Sequence, residues 1–345
     1  MSSHTETQHP TAAAGALAAK ISSGDFSGCS ATIVGYGNMG RQYLKALQGL
    51  GIGRIDVCSR SQGPLESLAG LESVTALAGG YSVMTDAPPV DRLAIVATPT
   101  PDLVPAVKHL ANIGFQKILI EKPVSLRSAE IVDLNDYLDA RGATAICAYN
   151  RLAYPSLVEA RARASKEGGI TSCTYSFTEI MIEELERTQS AEELAFWGVA
   201  NSLHPIGMAH ALAGLPMTWS GHRAGGLPWH PTGSVFVGSG VTEEDIPFSY
   251  QADWGSKGRW SVEINTPQAS YRLCPLEKLF TKTSSLSDWE EISVAVYDNE
   301  LKVGFAEQLA AMFDPEIAAM VPLMDLNQTA RLSAFGEDVF GYLPS

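Results

Sequence analysis

Three short stretches carry residue types that could do chemistry together. The first, Gly35-Tyr36-Gly37-Asn38-Met39-Gly40, is a G-x-G-x-x-G run. In such a run the first glycine allows a tight turn, the second lets the backbone approach a pyrophosphate, and the third lets a helix pack closely on a strand. Free N–H groups and the positive dipole end of the following helix then face the phosphates. The second stretch is Ser59-Arg60. A site that takes NAD carries an acidic residue about 20 residues beyond the glycines, on the ribose hydroxyls. Here Asp56 falls too early and on the wrong face of its strand, and the strand tip is Ser59-Arg60. A hydroxyl and a guanidinium suit a 2′-phosphate through charge-assisted bonds. The spacing therefore predicts NADP(H), with NAD(H) possible; the plainer alternative is a solvated arginine on a loop. The third stretch, Glu121-Lys122-Pro123, follows Ile118-Leu119-Ile120. It sits at the carboxyl end of a predicted parallel strand, where open α/β sheets bind ligands. Lys122 then polarises a substrate oxygen, or else joins a surface ion pair. Pro123 sets the turn and, in the cis form, would aim Lys122.

These residues need a scaffold of alternating strands and helices. Apolar runs predict strands at 30–34, 54–59, 92–97, 117–121 and 144–149. Helical spacing falls at 40–49, 64–69, 102–113 and 127–141. That alternation predicts a parallel sheet covered by helices. Beyond residue 150 the pattern changes. A helix at 155–167, a strand at 171–180 and a helix at 201–213 are followed by strand-like runs near 217–223, 233–238, 247–254, 259–266 and 269–283. Ser249–Trp254 and Arg259–Ile264 flank Gly255-Ser256-Lys257-Gly258 and predict a hairpin in an antiparallel sheet with one open face. Helices return at 302–313 and about 321–335. Residues 1–28 read as a tail or short helix, 29–150 as a dinucleotide-binding domain, 151–300 as a substrate and oligomerisation domain, and 301–345 as helices packing back on the first domain.

Composition narrows the function. The chain has 345 residues, 45% of them hydrophobic, and a net charge of −14. That charge argues against general affinity for nucleic acid or anionic membrane. No apolar run approaches the roughly 18 residues of a membrane span. Residues 1–28 lack the basic start and apolar core of a signal peptide. The five cysteines are scattered without C-x-x-C spacing and predict buried, reduced thiols rather than a disulfide framework. The expectation is a soluble cytoplasmic protein. His204 and His210, six apart, are poorly spaced for metal ligands on one helix face, so no catalytic metal is expected.

The sequence resembles the glucose–fructose oxidoreductase / inositol dehydrogenase / MocA (Gfo/Idh/MocA) family from residue 30 to 335. Gly35 to Gly40, Ala97-Thr98-Pro99, Glu121-Lys122-Pro123 and Tyr149-Asn150-Arg151 with Pro155 carry the resemblance. It implies an α/β protein: a Rossmann doubly wound sheet plus an α/β domain with a large, mostly antiparallel, open-faced sheet. That sheet often makes the oligomer interface, so a homodimer or homotetramer is expected. The resemblance also implies hydride transfer between nicotinamide and a carbinol or carbonyl carbon. It adds Tyr36, Asn38, Met39, Thr98, Pro99, Glu121 and Lys122 to the expected cofactor site. Asn201-Ser202-Leu203-His204-Pro205-Ile206-Gly207 resembles the family's His motif. Polyol dehydrogenases of the family place an Asp four residues before the His and often another three after, where this chain has Ala200 and Gly207. His204 is thus a catalytic candidate without its usual carboxylate partners. Tyr149, Arg151, Asn201 and His204 are candidate substrate contacts. The alternatives are an interdomain hydrogen bond for Tyr149 and Arg151, a helix cap for Asn201 and core packing for His204.

Together these features predict an NADP-preferring oxidoreductase acting on a small-molecule carbonyl, such as a keto-sugar or nucleotide-linked sugar, in the reductive direction. Lys122 would stabilise the alkoxide, and either Lys122 or His204 would supply the proton. A C=N reductase on the same scaffold, and a non-catalytic NADP-binding regulator, are the alternatives.

Overall fold

The computed structural model describes residues 12–89, 91–179 and 182–342. Strand β1 (Ser30–Val34) is buried along nearly its whole length and lies in the interior of the first sheet. It pairs in parallel with β2 (Arg54–Ser59) on one side and β4 (Leu93–Val96) on the other. Outward from these lie β3 (Val74–Ala78), β5 (Lys117–Ile120) and β6 (Thr144–Cys147), all parallel. Running apolar sequences such as Ile118-Leu119-Ile120 suit strands covered on both faces. The order 3-2-1-4-5-6 is that of a Rossmann sheet, with its switch point between β1 and β4. Strand β3 was not predicted: Val-Thr-Ala-Leu-Ala sits at the sheet edge, mostly exposed, and has neither clean alternation nor an apolar run.

Helices α2 (Asn38–Gly49) and α3 (Thr100–Asn112) begin within a few residues of the ends of β1 and β4, and α4 (Ser128–Asp139) follows β5 after the loop that carries Glu121-Lys122-Pro123. They present their N-termini at the carboxyl edge of the sheet. Residues 1–11 of the expected tail lie outside the described residues. The remainder includes a packed helix, α1 (Ala12–Ser23), which buries Ala14, Leu17 and Ile21. It lies against α5 (Pro155–Lys166), α9 (Phe305–Phe313) and α10 (Pro315–Met320). Buried Glu159 of α5 accepts the free N–H groups of Ala13 and Ala14 at 3.0 and 3.1 Å, placing a negative charge at the positive end of α1.

The second sheet has the strand order β14-β13-β12-β11-β7-β10-β9-β8. Its strands are β7 (Ser172–Ser176), β8 (Pro216–Ala224), β9 (Val235–Thr242), β10 (Pro247–Asp253), β11 (Ser261–Asn265), β12 (Ser270–Leu273), β13 (Leu279–Lys282) and β14 (Glu290–Ile292). Two expectations are corrected. Strands β10 and β11 do not form a hairpin: β7 lies between them, parallel to β10 and antiparallel to β11. The Gly255–Gly258 loop instead wraps the end of β7, with Asp253 N–H donating to Thr178 Oγ1 and the Trp254 indole to Phe177 O. The run 269–283 is two antiparallel strands, β12 and β13, interrupted at Cys274-Pro275, where proline supplies no N–H to a ladder.

Two short helices, α6 (Ile182–Thr188) and α7 (Ala191–Ala195), follow β7. Helices α8 (Leu203–Ala213) and α11 (Leu326–Phe340) bury Tyr175, Phe177, Phe248, Phe335 and Phe340 between themselves and this sheet. The last helix was expected from about residue 321. It begins at Leu326, because Met324–Asp325 adds a short antiparallel strand, β15, beside β6, and Asp325 and Gln328 form a capping box. Helix α9 packs on α2, while α11 packs on α4 and also meets β8, so the C-terminal segment bridges both sheets.

Candidate active site

The glycine loop is dictated by contacts that only glycine permits. Gly35 has φ +99° and its N–H donates to Cys58 O at 2.9 Å. A Cβ on Gly35 would lie 2.4 Å from Ala97 O, and one on Gly40 would lie 2.0 Å from Gly35 O. Gly37 has nothing within 4 Å of its would-be Cβ, so its backbone faces open space. Beside the loop lies a cavity of about 380 Å³, bordered by Gly35 to Met39, by Ser59 and Arg60, and by Thr98, Pro99 and Asp102. Thr98 Oγ1 is a buried hydroxyl without a hydrogen-bond partner in the protein. The open approach at Gly37, the N-terminus of α2 and this unpaired hydroxyl are what a dinucleotide phosphate site requires. Gly40 does not border the cavity; it serves the strand–helix contact. The exposed Arg60 guanidinium lies 3.5 Å from Asp102 at the start of α3, a partner the sequence did not predict. Asp56 faces away and pairs with buried Arg92.

A second cavity, about 490 Å³, shares Asn38, Met39 and Ala97 to Pro99 with the first. Glu121, Lys122, Arg151, Asn201, His204 and Lys302 converge on it from both sheets' domains. The Lys122-Pro123 peptide is cis, and Lys122 Nζ donates to Ala200 O at 2.9 Å. That carbonyl belongs to a π-helical turn, Gly198–Ser202, which leads into α8. Burial pushes the Lys122 ammonium below the usual lysine range, while neighbouring Glu121 opposes the shift. Glu121 is buried and accepts from Tyr43 OH at 2.5 Å. Burial raises its pKa, against the Tyr43 hydrogen bond and the Lys122 charge.

His204 is buried at the start of α8, and its Nδ1 has no hydrogen-bond partner. Burial, then the charges of Arg151, Lys122 and Lys302, hold its pKa well below the ordinary histidine value, so the ring is neutral at pH 7. Arg151 stacks its guanidinium over Trp260 at 4.9 Å. Tyr149 does not reach this cavity: it is buried behind His204 in an edge-on contact. His210 is a core residue, bonded to Tyr175 OH at 3.1 Å and Gly214 O at 2.8 Å. Trp219 and Arg223 are tied to Asp338, away from the cavity.

Sequence reasoning missed Lys302 and Glu179. Lys302 precedes α9 and enters the cavity beside Met39. Glu179 follows β7 and is buried, accepting Ser202 Oγ–H at 2.6 Å and Asn201 Nδ2–H at 3.1 Å. Neither lies in a motif; only the alternation that called β7 pointed near Glu179.

Residues 29–149 match the Gfo/Idh/MocA family, described as an oxidoreductase family with an NAD-binding Rossmann fold. A search of curated proteins found no match. Among solved structures, UDP-N-acetylglucosamine 3-dehydrogenase GnnA from Acidithiobacillus ferrooxidans is similar, at 14% identity and TM-score 0.69, over 91% of this chain and 97% of that one. A levoglucosan dehydrogenase in complex with NADH is similar at 14% identity and TM-score 0.70, over 90% and 95%. A super-repressor mutant of Gal80p from Saccharomyces cerevisiae is similar at 12% identity and TM-score 0.71, over 91% and 95%. At these identities the likeness speaks to the fold.

Proposed function

We propose, starting from the match of residues 29–149 to the Gfo/Idh/MocA oxidoreductases, that the chain is a reductase of small-molecule carbonyls that prefers NADP(H). The observation that carries this reading is the convergence of Lys122 and neutral His204 on a cavity continuous with the glycine loop. The loop backbone at Gly35 to Met39, with Thr98 and Pro99, would hold the dinucleotide. When bound, a reduced nicotinamide supplies hydride. The Lys122 ammonium then stabilises the oxygen that gains charge, in a cleft where preorganised charge counts most. Lys122 rather than His204 gives the proton. Its pKa is lowered but its ammonium is favoured by Glu121, whereas the His204 ring is held unprotonated. His204 and Asn201 offer hydrogen bonds to substrate, and Arg151 a cation.

The test is loss of reduced-nicotinamide absorbance against keto-sugars, nucleotide keto-sugars, keto-cyclitols and cyclic imines, with NADPH and NADH in parallel. Oxidation by one class supports the reading and names the substrate. A cyclic imine as the preferred substrate would replace carbonyl by C=N reduction. Tight NADPH binding with silence across the panel would favour a cofactor-binding regulator. One observation leans that way: Ala200 and Gly207 stand in place of carboxylates.

Cofactor preference rests on Arg60. Its guanidinium is 77% exposed and held only at 3.5 Å by Asp102, so it is free to meet a 2′-phosphate. Arg60→Asp should raise the Kd for NADPH about 10- to 100-fold and that for NADH only a few-fold. Equal effects on both, measured by nicotinamide fluorescence, would remove the NADP assignment. The long second sheet is proposed as the face that joins copies into a dimer or tetramer. Its exposed apolar residues Met217 and Val237 fit that role, and sedimentation would test it.

A further inference from the structure

The helix that carries His204 lacks a carboxylate at both expected positions, yet a buried carboxylate reaches its first turn from another element. Glu179 is 4% exposed and comes from the segment that follows β7. Its two oxygens are both engaged: Oε1 accepts from Ser202 and Oε2 from Asn201. Asn201 and Ser202 close the π-helical turn Gly198–Ser202. The same turn presents Ala200 O to Lys122 Nζ. A π-turn is rare and needs outside support to persist, and such turns concentrate at functional sites. The turn is also packed from behind, where a Cβ on Gly198 would lie 2.2 Å from the Phe340 ring.

We propose that Glu179 is a positioning residue of this cleft: by holding Asn201 and Ser202 it fixes the turn whose Ala200 carbonyl seats Lys122, and it supplies the negative charge that positions 200 and 207 lack. The proposal rests on the reading of Lys122 as the group that stabilises the substrate oxygen and gives the proton. Glu179 acts through the turn and does not border the cavity itself.

The electrostatics agree with this placement. Burial pushes the Glu179 carboxyl up to about 7, while Ser202, Trp197, Asn201 and the Lys122 charge pull the other way. Among the described residues, Lys122 is the charged group that acts on it. From the loop on its other side, the Gly255 N–H reaches only the Glu179 main-chain carbonyl, at 3.4 Å. Two incoming donors, Ser202 Oγ–H and Asn201 Nδ2–H, are best met by the ionised form, which has acceptor capacity on both oxygens. Ionised Glu179 also favours the Lys122 ammonium. Turnover should therefore rise with pH as Glu179 loses its proton near 7, and fall again as Lys122 loses its own.

Glu179→Gln tests this. The amide can accept on one atom only, so one hydrogen bond must invert. A folded-state pKa of about 7 against an ordinary 4.5 means that burial favours the neutral form. Stability from this group is then lost as pH rises between those values. The neutral glutamine variant should melt no lower than wild type at pH 8, so loss of fold does not confound the result. The expected outcome is a kcat lower by about 10-fold, the scale of a hydrogen bond to a charged group, with KM little changed and the acidic limb of the pH profile gone. A second readout needs neither cofactor nor substrate. Trace labelling by acetic anhydride at pH 8, followed by peptide mass, should modify Lys122 about 10-fold faster in Glu179→Gln, as its ammonium loses support. Active wild type with an unchanged pH profile and unchanged Lys122 labelling in the variant would overturn the proposal. Wild type silent towards every carbonyl, with Lys122 labelling still accelerated in the variant, would remove the reductase reading and leave the positioning network standing.

Discussion

Lys122→Ala lowers kcat about 10²- to 10³-fold while leaving the Kd for NADPH within a few-fold of wild type. The magnitude is that of deleting one preorganised charge from the place where an oxyanion develops. The split between turnover and binding follows from position. Lys122 stands in the second cavity against Ala200 O, whereas the glycine loop borders the first. Removing the side chain also takes a neighbouring cation from buried Glu121 and Glu179, so a melting curve of the variant accompanies the kinetics and separates lost chemistry from lost fold. Single-turnover decay of nicotinamide absorbance, beside a fluorescence titration of NADPH, measures both quantities. Unchanged turnover would end the assignment of Lys122. A parallel loss of cofactor affinity would move it from the chemistry to the binding of the dinucleotide.

Gly40→Ala should have the opposite signature, a loss of cofactor binding that precedes any effect on chemistry. A Cβ here would lie 2.0 Å from the Gly35 carbonyl oxygen, which is backbone and cannot rotate away. Either α2 moves off β1 or the turn at Gly35 opens, and both displace the N–H groups that would meet a pyrophosphate. Overpacking of this kind costs about 1–3 kcal/mol. Taken from cofactor binding, that is about a 10- to 100-fold rise in Kd for NADPH and NADH alike. Gly37→Ala is a useful contrast, because its Cβ would meet nothing within 4 Å in the protein. Any loss of affinity there must come from the ligand side. If Gly40→Ala bound both nucleotides as wild type does, the loop would not be the phosphate cradle.

Several features were legible because their causes are local. Strands β1 and β2 and helix α5 fall within a residue or so of their predicted bounds, since each is written in a continuous apolar run or a helical repeat. The glycine loop was legible because a close backbone approach leaves glycine as the only fit at Gly35 and Gly40. The failures were non-local. Both strands flanking Gly255–Gly258 were correctly placed, but a two-residue periodicity does not say which strand lies next door. Strand β7, from some 80 residues earlier, takes the place of the hairpin partner. Edge strand β3 escaped because an exposed edge does not need the apolar pattern that marks a buried strand.

The site divides in the same way. Sequence alone marked the Rossmann half: the turn glycines, the Ser59-Arg60 tip and the Glu121-Lys122-Pro123 exit, which steric and strand-end rules acting over a few residues let spacing report. His204, in the second domain, was marked only by its resemblance to a family motif. Only the tertiary structure decided that His204 is neutral, that Tyr149 stands behind it, that Lys302 joins the cleft, and that Glu179 supplies a carboxylate the motif lacks. The physical reason is that charge state depends on burial and on neighbours within a few ångströms, and those neighbours come from strands, turns and helices far apart in the chain.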